Sequence, residues 1–144
     1  IHPELLSGDS QYACDHCGKK TDAKKTVRIE RLPEVLVVHI NRSRWDLRGT
    51  RRKLMDHVAF PLRDLDLNYA TWKAVDGEGA AFSNYNLSAV VSHHGKGLDN
   101  GHYSALCLDA DSNNWIHFND RKVTISSEQE VERAEAYLLF FERS

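Results

Sequence analysis

Cysteine, methionine and proline are scarce: the 144 residues include three cysteines, one methionine and three prolines. Three thiols are too few, and odd in number, for a disulfide framework. Two of them stand at CxxC spacing, the usage of a reducing compartment, and cytosol or nucleus is the expected location. No apolar run approaches the roughly 18 residues of a spanning helix, so no membrane partner is expected. The opening "IHPELLSGDS" has no charged segment leading into an apolar one, and a signal peptide is not expected either. A net charge of −2 supplies no general basic field, and a nucleic-acid partner is not expected. What is present, 41% hydrophobic and 28% charged residues, suits one globular domain with a buried core.

From Ser7 to Lys25 the chain is polar and reads as a knuckle or finger around Cys14 and Cys17. "TVRIERL" then alternates like a strand, and "EVLVVHI" is a short β-branched run, with Pro33 separating the two. Six arginines or lysines fall between Arg42 and Lys53 around Gly49, the composition of an exposed loop. Asn68 to Ser83 lacks any sustained period and reads as a surface insertion, with Trp72 tucked beneath it. "YNLSAVVSHH" and "HYSALCL" are expected strands bracketing "HGKGLDNG", whose glycines permit positive φ. "NWIHFND" follows an Asp-Ser-Asn-Asn turn and is expected to pair with the strand beginning at His102. Ser127 and Glu130 have capping-box spacing, so a short helix starts there, and "AYLLFFE" closes the chain as a buried strand. The sum is an α+β fold dominated by antiparallel β.

His102 begins a strand directly after a glycine loop, which suits a general base. A turn centred between Ala110 and Asp111 sets it opposite Asn119, and a half-residue shift selects Asp120. Those two residues point to opposite sheet faces, so only one orients the ring directly. Either side chain can accept the Nδ1 hydrogen and leave Nε2 to take a proton from a thiol. His93 and His94, adjacent on a strand, face opposite ways and do not form a metal pair. His39, inside an apolar run, reads as a hydrogen-bonded core residue, and His117 as a sheet-surface residue. Cys14 and Cys17 in "CDHCGKK" have the spacing of a zinc knuckle, but tetrahedral zinc needs four ligands and no second CxxC is present. A zinc-knuckle nucleic-acid binder using the arginines between 42 and 53 is a weaker alternative.

Taken in order, "GHYSALC", "WIHFND" followed by "VT", a short helix and "AYLLFF" resemble the histidine box of the ubiquitin-specific protease family. "YACDHCGKK" looks like the second cysteine pair of that family's fingers. "RLPEVLVVHINR" is similar to its "LPxVLxLHLKR" strand, and "FPL" and "YNLSAVVSHHG" fall in the expected order. The resemblance implies a papain-like cysteine peptidase fold, with part of a zinc-ribbon fingers region in 1–30 and a palm in 31–144. It implies a thiol protease cleaving after the C-terminal glycine of ubiquitin, in which His102 is the general base, Asn119 the third member of the triad and Asp120 a supporting neighbour. His94, Gly95, Gly101 and Tyr103 would meet the ubiquitin tail, the stretch from His94 to Gly101 resembling a blocking loop and Arg44 to Arg52 lying near the other. Cys14 and Cys17 would hold structural zinc together with two upstream ligands.

The family's nucleophile sits in an N-terminal cysteine box at the start of a helix, with an Asn that helps form the oxyanion hole. Neither is in this sequence. Cys107 lies five residues from His102 along one strand, so this chain is expected to be inactive alone and to need an N-terminal catalytic lobe as partner. A noncatalytic ubiquitin-binding or scaffold module is the alternative.

Overall fold

A computed structural model describes residues 2–71, 84–97 and 100–144. These fall into two compact units. One holds the described residues up to Leu32 and those from Leu67 to Thr71; the other holds those from Pro33 to Asp66 and from Asn84 to Ser144. Trp72 and the insertion beyond Thr71 lie outside the described residues, as do positions 98 and 99 of the glycine loop.

In the first unit, β1 (Glu4–Leu6), β2 (Tyr12–Cys14), β3 (Lys19–Thr21) and β4 (Ala23–Lys25) form two small antiparallel pairs, β1 with β4 and β2 with β3. The β2–β3 turn closes where Gly18, at φ +65, donates its N–H to the Cys14 carbonyl at 2.9 Å. A side chain would be strained at that φ, which is why glycine follows the second cysteine. The expected strand at "TVRIERL" does not form. Within it only Ile29 makes a β-bridge, to Thr71, and Val27 stays exposed. Alternation specifies a strand only where a core exists to receive one face, and Ala70 is the one buried residue among the described hydrophobics of this unit.

The second unit contains β5 (Val35–His39), β6 (Ser43–Trp45), β7 (Arg51–Lys53), β8 (Leu65–Asp66), β9 (Asn84–His94), β10 (His102–Asp109), β11 (Asn114–Asn119), β12 (Lys122–Ser126), helix α1 (Glu128–Glu132) and β13 (Ala136–Arg143). Among the described residues, six strands lie antiparallel in the order β12-β11-β10-β9-β13-β5, with β8 on β9. β6 and β7 pair as a separate hairpin, correcting the expected loop. The reason is local: the Asp46 carboxylate accepts from the Arg48 and Thr50 amides at 2.9 and 2.8 Å, and Gly49 takes φ +73. An aspartate that binds the backbone ahead of it nucleates a tight turn and brings the flanking residues into register.

The core lies on one face of the sheet, where Leu139, Val90 and Leu106 stand opposite one another on β13, β9 and β10, Trp115 shares that face on β11, and all four are buried. β9 buries Tyr85 and Leu87, then Val90 and Ser92, so its inward phase slips by one. The slip coincides with a register shift on β13, where Phe140 pairs with Ala89 but Phe141 with Leu87. A bulge there absorbs the extra residue and keeps both halves of the strand buried. Full burial of Leu87, Val90 and Phe141 contributes about 1.5–3 kcal/mol each, and the Tyr85 hydroxyl is satisfied by the Pro33 carbonyl at 2.5 Å. β13 was expected to be buried throughout, yet Leu138 and Phe140 on its other face are only half-buried. That second face runs through exposed Val35 and Val37, Phe140, Ala89, Cys107, Phe118, Val123 and Ile125, an apolar surface across the width of the sheet. β12 was not identified in the sequence although Val123 and Ile125 alternate with polar residues, and both are exposed in this chain.

Candidate active site

His102 is the first residue of β10 and lies directly across from His94, the last of β9. The β10–β11 ladder pairs Ala105 with Phe118 and Asp109 with Asn114. Its turn is therefore centred between Asp111 and Ser112, one residue beyond the centre that sets Asn119 directly opposite His102. Asp109 sets that length: its carboxylate accepts from the Ser112 amide and hydroxyl at 3.2 and 2.5 Å, while Asn113 adopts φ +54. Moving the centre by one residue moves every partner by two, which preserves the face. Asn119 thus stays on the side of His102 and reaches it diagonally.

The Asn119 Oδ1 stands 2.6 Å from Nε2 of His102. An amide oxygen only accepts, so Nε2 carries the hydrogen and Nδ1 the lone pair. This reverses the expected arrangement of the two ring nitrogens: Nε2 is the anchored one and Nδ1 is left open. The Asp120 carboxylate is 3.9 Å from the same Nε2 and mostly exposed. Asp120 sits at φ +51 in the turn between Asn119 and Lys122, which turns it away from the direct contact.

His94 packs beside the pair. Its ring lies 6.3 Å from that of His102 and nearly parallel to it, and its Nε2 is 2.7 Å from the hydroxyl of buried Ser104. His94 remains exposed, but partial desolvation by its neighbours pushes its pKa down; a nearby Glu135 carboxylate opposes this, and His102 adds to the lowering. His93 points the other way, as strand alternation requires. It is buried, with its ring 4.7 Å from Tyr103 and 6.2 Å from Tyr137. Gly101 lies so close to the His93 ring and the His94 carbonyl that a Cβ there would overlap both. Gly95, at φ +133, offers its carbonyl to Lys53 Nζ at 2.7 Å, and the same ammonium binds the His93 carbonyl at 2.6 Å. The loop before His102 is thereby tied to the β6–β7 hairpin.

His39 corrects its expected role. It is exposed, with its ring edge-on to Tyr137 at 4.8 Å, because β5 is an edge strand whose His39 face is uncovered. Arg42, counted in the sequence with the solvated cations, is only 4% exposed. Its guanidinium donates to the carbonyls of Ala136, Leu54 and Asp56 at 2.8, 3.1 and 2.8 Å. The available signal was its place directly after an apolar strand, where a long side chain can turn back over the sheet end.

Of the thiols, Cys107 is on the opposite face of β10 from His102, and burial pushes its pKa up. Neither property suits a nucleophile for this histidine. Cys14 and Cys17 lie in the other unit, flanking the β2–β3 turn. Hydrogen bonds from the Cys17 backbone and thiol, and from the His16 backbone, lower the Cys14 pKa. Two close sulfurs with one drawn toward thiolate fit half of a zinc site. Among the described residues no group of three or more His, Cys, Asp or Glu is placed to hold a metal.

An imidazole oriented by an amide oxygen at the end of an antiparallel sheet is an arrangement that can accept a proton from a thiol. The ubiquitin carboxyl-terminal hydrolase family model matches residues 6–141, and the chain belongs to that family. It is 38% identical over 152 residues to ubiquitin carboxyl-terminal hydrolase 44 of Danio rerio, covering 96% of this chain and 21% of the relative. It is also 38% identical over 138 residues to ubiquitin carboxyl-terminal hydrolase 3 of Homo sapiens, covering 96% of this chain and 26% of the relative. The solved SAGA Ubp8/Sgf11/Sus1/Sgf73 DUB module bound to ubiquitin aldehyde matches with TM-score 0.82 and 37% identity, over 99% of this chain and 31% of that one. The fold is thus the papain-like one of the ubiquitin-specific proteases, and the chain spans about a quarter of the length of these curated relatives.

Proposed function

We propose that this chain is the palm and part of the fingers of a deubiquitinating thiol protease, supplying the general base and the residue that orients it. The observation that carries the reading is the 2.6 Å contact from Asn119 to Nε2 of His102. With Nε2 held, Nδ1 of His102 accepts the proton of a cysteine thiol brought by an N-terminal catalytic lobe. The thiolate attacks the carbonyl of ubiquitin's C-terminal glycine, and the imidazolium returns its proton to the departing lysine amine. The same ring then takes a proton from water, which hydrolyses the thioester and frees the cysteine. His94, Gly95, Gly101 and Tyr103 border the path of the ubiquitin tail, and Asp120 biases the ring electrostatically from the turn.

Two features support the dependence on a second lobe. Cys107 is on the wrong face of β10, and the apolar sheet surface from Val37 to Ile125 is uncovered in this chain. Cys14 and Cys17 would hold half of a structural zinc site whose other two ligands come from outside this chain, and the zinc would brace the fingers. The protein would work in the cytosol or nucleus. A noncatalytic ubiquitin-binding module is the second reading, favoured by the absence from these 144 residues of any cysteine fitted to serve the ring. A fluorogenic amide of the ubiquitin C-terminus separates them: no turnover by this chain alone and turnover once the cysteine-bearing lobe is added identifies the protease. Ubiquitin binding with no turnover in that mixture identifies the module.

A further inference from the structure

The chain carries −2 overall, yet six cations and a single anion lie between Arg42 and Lys53. Folding sorts these cations. Arg42 is buried on backbone carbonyls and Lys53 is committed to the loop before His102. Arg44, Arg48, Arg51 and Arg52 remain exposed on the β6–β7 hairpin. Arg44 and Arg52 are direct cross-strand partners, a like-charge pairing that destabilises a ladder. The lone anion, Asp46, is largely spent on the turn amides and meets only Arg52, at 3.5 Å.

Beside these charges, Trp45 is 66% and Leu47 fully exposed. Both border a cleft of about 440 Å³ that Arg44, Asp46, Arg52 and Leu54 also line, two cations to one anion. Exposed tryptophan and arginine are the residue types that dominate protein interfaces. An exposed leucine gains nothing against a phosphate backbone. A protein surface bearing carboxylates around an apolar side chain satisfies the arginines, Trp45 and Leu47 together.

We infer that the β6–β7 hairpin is a docking surface for an acidic protein. On the function proposed above, which this step rests on, that protein is the ubiquitin-bearing target, because Lys53 ties the hairpin to the loop that delivers His102. The surface then selects targets whose modified lysine lies near an acidic patch with an exposed apolar residue.

Fluorescence anisotropy of this chain with a fluorescein-labelled peptide alternating glutamate and phenylalanine tests the surface directly. Binding is expected, weakening as salt rises. It should fall about tenfold or more in Arg44→Glu/Arg52→Glu and comparably in Trp45→Ala, which leaves the charge intact. No binding, binding that both variants retain, or tighter binding to a short DNA duplex than to the peptide overturns the inference. Turnover of the fluorogenic ubiquitin amide by the wild-type chain with its cysteine-bearing lobe is scored separately. Its failure removes the protease reading and leaves the docking result standing, while peptide failure with normal turnover does the reverse.

Discussion

Asn119 holds His102 from a diagonal position: the ladder continues so that Asn119 faces Ser104, and its amide oxygen crosses to the ring at 2.6 Å. Ser104 in turn binds His94, the direct cross-strand partner of His102. Two imidazoles, a hydroxyl and an amide therefore share one corner of the sheet, and each constrains the next.

In the enzyme assembled with its cysteine lobe, His102→Ala should lower kcat by about 10²–10⁴-fold, the range of a lost general base. Asn119→Ala should cost on the order of 10²-fold through misorientation of the ring. Asn119→Asp, which keeps an accepting oxygen, should recover part of that loss. Steady-state kinetics on the fluorogenic substrate, with KM little changed, checks the series.

Gly101→Ala should damage the site without touching a reacting group. A methyl there meets the His93 ring and the His94 carbonyl, and neither can retreat easily because His93 is buried and the carbonyl belongs to β9. A lower Tm and a reduced kcat are both expected, whereas Gly49→Ala, in open space at φ +73, should cost stability alone.

His94 makes stability depend on mildly acid pH. Its pKa is lowered in the fold, by partial desolvation first, so between the folded value and the ordinary value of about 6.5 the unfolded chain binds more protons. Stability should be full above that ordinary value and decline as pH falls through the window below it. Urea unfolding across that range should show the decline, and His94→Gln should flatten it.

Helix α1 is only five residues long and depends on its start. Ser127 Oγ accepts from the Glu130 amide at 3.3 Å and the Glu130 carboxylate accepts from the Ser127 amide at 3.0 Å. Ser127→Ala should cost about 1 kcal/mol, read as a lower urea midpoint with unchanged slope.

The proposed zinc half-site at Cys14 and Cys17 can be tested with cobalt as the spectroscopic substitute. Together with a segment that supplies the other two ligands, this chain should show thiolate-to-cobalt charge-transfer absorption that Cys14→Ser or Cys17→Ser weakens. An undiminished spectrum in both variants would remove the half-site assignment.

Much of this was legible locally. β9, β10, β11 and β13 announced themselves by β-branched and aromatic runs, and α1 by the Ser127 and Glu130 pair, because propensity and capping act within a few residues. The hairpin at Arg51 hid behind its charge, since its turn depends on what one aspartate does with two amides. "TVRIERL" misled because alternation says nothing about whether a core waits for it. The choice of Asn119 over Asp120 depended on the length of the Asp109 turn. The sequence left both anchors open because the turn centre could not be placed; the observed centre, one residue beyond the one that sets Asn119 opposite His102, keeps Asn119 on that face because a two-residue displacement leaves parity unchanged.

By itself the order of side chains determined the family and the strands bearing the candidate site, since motif spacing and two-residue periodicity are properties of the chain. Only the folded arrangement decided that Nε2 is the anchored nitrogen, that Arg42 is buried while Arg44 and Arg48 stay exposed, and that one sheet face is core and the other largely uncovered. Those outcomes depend on long-range pairing, where register, burial and charge are settled between residues far apart in the chain.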